Sequence, residues 1–199
     1  MILLVAAGCG GAKRPKPAAA PATPAGAGLR GLVPSPLPTR PAFTLTDTAG
    51  HPFPFATRTS AKLTYLYFGY THCPDVCPLT MANIATALRT VGPAVRRRIE
   101  VVFVTVDPRR DSRQRLRRWL DHYSRSFIGL TGSQHAIAAA AASAGISLPP
   151  QPKHQTGLYG VDHSAFVFPY SPDGKAHVVY AQGFLAADYA HDIPLLLRY

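Results

Sequence analysis

Residues 62–80 read KLTYLYFGYTHCPDVCPLT. As far as Tyr70 the run is almost continuously apolar and rich in aromatic and β-prone side chains, the pattern of a strand buried on both faces. Two cysteines follow, Cys73 and Cys77, each with a proline directly behind it. A helical pattern comes next. Pro78 suits a first turn, where a missing N–H costs nothing. Met81, Ile84, Ala85, Leu88 and Val91 then recur on one face until Gly92–Pro93 closes the helix. A second apolar run, IEVVFVTVD at 99–107, completes a strand–helix–strand unit. Such a unit requires two parallel strands joined by a right-handed crossover.

Working outward, AFTLTDTAGHPFPF (42–55) reads as a short hairpin with its turn at Ala49–Gly50. Beyond the second strand, Asp111 is predicted to cap a helix, with Gln114 three residues on as in a capping box. Leu116, Trp119, Leu120 and Tyr123 share one face of that helix, and arginines take the others, as on a solvated surface. FIGL (127–130) is a short strand and residues 133–144 an alanine-rich helix. SAFVFPY and AHVVYAQ flank the turn signal SPDG and form a second hairpin. A last helix is predicted around 186–193, interrupted by Pro194. This order predicts a thioredoxin-like α/β fold: a central mixed sheet flanked by helices, with an N-terminal hairpin.

The chain divides into three parts. Residues 1–9, ahead of the folded unit, are apolar, then small, then Cys9; VAAGC resembles a lipobox, so they read as part of a lipoprotein-type signal segment whose start can lie upstream of Met1. Residues 10–41 are rich in Pro, Ala and Gly with no apolar period, and are expected to form a disordered tether. Residues 42–199 are the expected folded domain. Lipidation of Cys9 would hold that domain at the extracytoplasmic face of a bacterial cytoplasmic membrane. Against 10 acidic residues stand 21 Lys and Arg, for a net charge of +11. They gather in the tether, at 96–98 and at 109–118 without interleaved aromatics, which argues against a nucleic-acid surface.

Three cysteines do not make a disulfide framework. Cys73 and Cys77 lie where a buried strand meets a helix, at the sheet's carboxyl edge, the usual place for a site in open α/β folds. With Cys77 as N-cap, the helix dipole would favour its thiolate. Three uses compete: a disulfide redox couple, a soft-metal site suited to Cu(I) or Zn(II), and burial as small apolar side chains. A metal site needs a further ligand. Of the eight histidines, His72 adjoins Cys73 but is expected to point away from a shared metal. His163, in VDHSAFVF at the entry to a strand, is the best placed, with Asp162 to orient it.

YFGYTHCPDVCPLTMANI, VFVTVDPRRDS and VDHSAFVFPYSPDGK together resemble the Sco/SenC family of copper-binding proteins, over residues 42–199 and in family order. The resemblance implies a membrane-tethered thioredoxin-like domain binding one copper ion, Cu(I) or Cu(II), through Cys73, Cys77 and His163. It implies a metallochaperone for the binuclear copper centre of cytochrome c oxidase subunit II, with another copper chaperone as a candidate donor. The alternative is an extracytoplasmic thiol–disulfide oxidoreductase that reduces the cysteines of that centre through Cys73 and Cys77. A thiol peroxidase is a more distant reading, for no peroxidatic arginine can be assigned. The Asp107–Pro108…Asp111 segment matches a family motif, and a structural capping role is expected for it.

Overall fold

The computed structural model describes residues 28–148 and 165–199. Its sheet has six strands: β1 (Thr44–Asp47), β2 (Pro52–Pro54), β3 (Leu63–Gly69), β4 (Ile99–Thr105), β5 (Ile128–Thr131) and β6 (Val167–Tyr170). They lie in the order β2-β1-β5-β4-β3-β6. β3, β4 and β5 are parallel, while β6 runs antiparallel to β3, and β1 antiparallel to both β5 and β2. Every residue of β3 is buried, as a strand covered on both faces requires. The helices are α1 (Phe55–Arg58), α2 (Val76–Thr90), α3 (Pro93–Arg96), α4 (Arg113–Asp121), α5 (Gln134–Ser143) and α6 (Ala186–Leu196). This is a thioredoxin-like arrangement, and the expected N-terminal hairpin is the β1–β2 pair.

The crossovers β3–α2–β4 and β4–α4–β5 step the same way across the sheet, so right-handedness sets α2 and α4 on one face. Side chains agree. Tyr67 of β3 meets Phe103 of β4, and Phe103 meets Trp119 of α4 at 4.9 Å between ring centroids. Tyr65, two residues from Tyr67, meets Tyr189 of α6 on the same face. The opposite face carries Thr64 and Tyr170, which meet Arg40 and Phe55.

Four expectations need correction. The tether was expected to reach residue 41, but the described part of it is packed. Leu29 is buried, and Leu32 exchanges backbone hydrogen bonds with Val179. Pro38 accepts from the Ala176 N–H, and the Arg40 guanidinium donates to six oxygens between Thr59 and Ser171. An extended segment needs no apolar period to be ordered when its backbone pairs and two polar anchors hold it. Secondly, α6 continues through Pro194 to Leu196. Proline removes one N–H, yet Ile193 and Leu196 are fully buried and α6 packs along α2. Thirdly, Ser112 rather than Asp111 caps α4, its hydroxyl accepting from the Arg115 N–H. Fourthly, the second hairpin closes through isolated bridges, Val167 with Tyr180 and Tyr170 with Ala176, rather than a full return strand.

Candidate functional site

The site is built where β3 ends. The Tyr70 carbonyl accepts from the Cys73 N–H at 3.2 Å, turning the chain after the strand. Asp75, not Cys77, is the N-cap of α2, and its carboxylate accepts from the Val76 N–H. Cys77 therefore stands at the second helical position and Pro78 at the third, where its missing N–H costs no intrahelical bond. The Cys77 N–H points at Cys73 Sγ, 3.3 Å away, so a helix N-terminal donor serves the first sulfur. The two cysteines are not joined as a disulfide; Cys73 is 9% exposed and Cys77 fully buried.

Gly69 makes this packing feasible. A Cβ there would fall 2.8 Å from Cys77 Sγ and 2.9 Å from the Phe103 ring. From two residues earlier on β3, the Tyr67 hydroxyl donates to Cys77 Sγ at 3.4 Å. The Cys77 thiol is pushed far up, first by its hydrogen bond with Cys73 and then by burial, with Tyr67 and the Tyr70 backbone pulling the other way. The protonated thiol of Cys77 is thus favoured over its thiolate. A soft cation that replaces that proton would have two sulfurs on one side of the first helical turn.

A buried carboxylate holds the loop from behind. Asp111 is fully buried and accepts from the Thr71 N–H at 2.9 Å, the Thr71 hydroxyl at 2.5 Å and the Thr105 hydroxyl at 2.6 Å. Asp107 pairs with Arg110, whose guanidinium lies over the Tyr70 ring. The Val106 N–H donates to the Gly69 carbonyl, so the ends of β3 and β4 are knitted together. The Asp107…Asp111 segment thus braces the dithiol loop instead of capping α4.

The His72 ring is engaged by Thr71, Asp111 and Arg115. Its Nε2 lies 3.1 Å from Arg115 Nη1, which can only donate, so the imidazole proton sits on Nδ1, facing Thr71 and Asp111. His163, Asp162 and Cys9 lie outside the described residues. Among the described residues no group of three or more His, Cys, Asp or Glu could hold a metal, and no helix is long and apolar enough to cross a membrane. The structure brings Cys73 and Cys77 together and adds Tyr67, Gly69, Thr71, Thr105 and Asp111. The sequence carries faint signals for these: a glycine ending an apolar strand, and two aspartates four apart behind the parallel strand.

Fold and site define a class: a thioredoxin-like domain with a buried Cys-x₃-Cys dithiol at the end of a central strand. The family model described as SCO1/SenC matches residues 34–198, and the chain belongs to that family. Protein sco1 of Schizosaccharomyces pombe is 31% identical over 134 residues, 66% of this chain and 51% of that protein. Apo Sco1 of Thermus thermophilus has a similar structure, with a TM-score of 0.75 at 30% identity over 85% of this chain and 97% of that one. Copper-bound ScoI of Bradyrhizobium japonicum gives 0.70 at 29%, over 80% of this chain and 99% of that one. The chain spans about half the length of the curated relatives it matches.

Proposed function

We propose that this chain is a copper metallochaperone that serves assembly of the binuclear copper centre of cytochrome c oxidase subunit II. One observation carries the reading: two free thiols, four residues apart, converge at the mouth of α2, with the Cys77 N–H 3.3 Å from Cys73 Sγ, in a family with copper-bound members. Copper is cargo here. Cys73 and Cys77 supply two soft thiolates, enough for Cu(I), and His163 would add the nitrogen donor that Cu(II) prefers. Cys9, as a lipidated residue, would anchor the domain at the extracytoplasmic membrane face, close to an oxidase subunit.

The second reading is a thiol–disulfide oxidoreductase, favoured by the contact of the Cys77 N–H and thiol with Cys73. In that reaction the two thiols surrender two electrons and two protons to the target's disulfide; Cys73 and Cys77 become a disulfide and the target gains two thiols.

His163→Ala separates the two. It is expected to abolish stable Cu(II) binding, weaken Cu(I) binding and block oxidase copper-site assembly, while the Cys73–Cys77 disulfide still forms and is reduced. Cys73→Ser and Cys77→Ser are expected to lose both activities. Oxidase assembly at wild-type level in His163→Ala, followed by oxidase copper spectroscopy, would transfer the function to the oxidoreductase.

A further inference from the structure

We propose that the arginine edge formed by the start of α4, beside the dithiol, is a docking surface for an acidic protein segment of the partner that exchanges metal or electrons with Cys73 and Cys77. The inference rests on the proposed function only for what is exchanged, not for the charge of the partner.

The edge is continuous with the site. Arg115 Nη1 reaches both His72, the neighbour of Cys73, and the Arg110 carbonyl, and Arg110 lies over Tyr70. Six arginines occur between residues 109 and 118. The acids that could neutralise them are spent elsewhere. Asp111 is buried on threonines, Asp107 is taken by Arg110, and Asp121 by Arg117. Among the described residues, Arg113, Arg115 and Arg118 are exposed and no carboxylate lies within ion-pair distance of them. Arg113 and Arg118 line an open cleft of about 620 Å³ with Thr48, Ala49 and Ser112. The nearby acids facing outward are Asp75, which caps α2, and Asp47, which turns to the 49–51 backbone and His51.

The thiols decide what kind of anion this is. With Cys73 only 9% exposed and Cys77 fully buried, a reacting atom must be carried in by a protruding group, which a flat bilayer surface does not offer. On α2, two residues after Cys77, Leu79 is 55% exposed, so the surface around the dithiol offers an apolar side chain as well as guanidinium groups. Interfaces of that mixed kind suit a protein. The cations are all arginine, whose planar fork pairs with two carboxylate oxygens and is more weakly hydrated than lysine.

The experiment uses the full chain with Cys9→Ser, to remove the third thiol, and a labelled glutamate-rich peptide without cysteine. Binding is read by fluorescence anisotropy at about 20 mM and about 500 mM salt, conditions that bracket the screening of exposed charges. The peptide is expected to bind at low salt and release at high salt. The combined Arg113→Gln, Arg115→Gln, Arg118→Gln variant is expected to lose at least about tenfold in affinity, with the corresponding lysine variant intermediate. A disulfide peptide with glutamate flanks should likewise oxidise the wild-type dithiol about tenfold faster than one with lysine flanks at low salt, and the glutamine variant should erase that preference without slowing neutral hydroxyethyl disulfide. Equal affinity of wild type and glutamine variant for the acidic peptide overturns the proposal. So does tighter binding of phosphatidylglycerol vesicles through the same three arginines, which would make the edge a membrane contact. Copper titration of both proteins reports on the metal reading separately, since it needs no docking.

Discussion

Asp111 shows how much of the site rests on a residue that touches neither sulfur. Its carboxylate takes three hydrogen bonds from Thr71 and Thr105, and no arginine pairs with it among the described residues. Asp111→Ala would strand the Thr71 N–H and two hydroxyls in a buried setting, at about 2–3 kcal/mol of stability in all. Asp111→Asn keeps one acceptor for the N–H, and its amide can donate to a threonine hydroxyl, so it is expected to cost about 1 kcal/mol. Urea unfolding of the two reduced apo variants checks this order, and a copper titration should show the larger loss of affinity in alanine. An alanine variant within about 0.5 kcal/mol of wild type would remove Asp111 from this role. The sequence could not expose the role, because Asp111 and Ser112 are both good capping residues and only burial decides between them. The cysteines themselves were legible, since few other placements explain two thiols at a strand–helix junction. Gly69 and Tyr67 were not, because their part is a distance to Cys77.

The limits of reading by pattern are clearest in the segment from Leu29 to Arg40 and in α6. The segment looks like linker because prolines interrupt it and no apolar period appears, yet Asp192 of α6 receives the Arg30 and Gly31 N–H groups and the Tyr180 hydroxyl. Helix α6 was expected to be interrupted at Pro194, yet tertiary packing carries it on, as it often does where the face is buried. The two errors are one error, for the segment's anchor sits on the helix whose length was underestimated. Asp192→Ala should therefore act on both elements. It leaves two backbone donors and a buried phenol without their acceptor, a loss of about 2–4 kcal/mol. Trypsin should also cut after Arg30 markedly faster than in wild type, because the Arg30 and Gly31 N–H groups on either side of the cut are no longer held. An unchanged urea midpoint together with an unchanged cleavage rate would mean that the segment is secured without Asp192, by its backbone pairing with Val179 and Ala176 and by Arg40.

At the scale of the whole molecule, the fold class was legible because β3 and β4 are long apolar runs on either side of an amphipathic helix, whereas the short edge pairings carry no such signal. The same runs make the interior unusually phenolic. Of nine tyrosines, six are buried among the described residues, and in five of them, Tyr65, Tyr67, Tyr170, Tyr180 and Tyr189, burial is the leading cause that pushes the hydroxyl upward. Unfolded tyrosine ionises near pH 10 and unfolded cysteine near pH 8.5. Because the folded values are raised, the unfolded chain releases protons first as pH rises. The stability these groups contribute is whole below the unfolded values and drains away above them. Cys77 starts the loss at about pH 8.5, and each tyrosine adds about 1.4 kcal/mol per pH unit above about 10. Five together approach roughly 7 kcal/mol per unit, which exhausts an ordinary domain's stability within one or two units. Reduced apo protein should therefore unfold cooperatively at about pH 11–12. Tyrosinate absorbance should rise in two steps, a reversible one from the accessible rings and a steep one that coincides with loss of circular dichroism. A single smooth titration centred near pH 10, with the dichroism intact, would contradict the burial that organises this core.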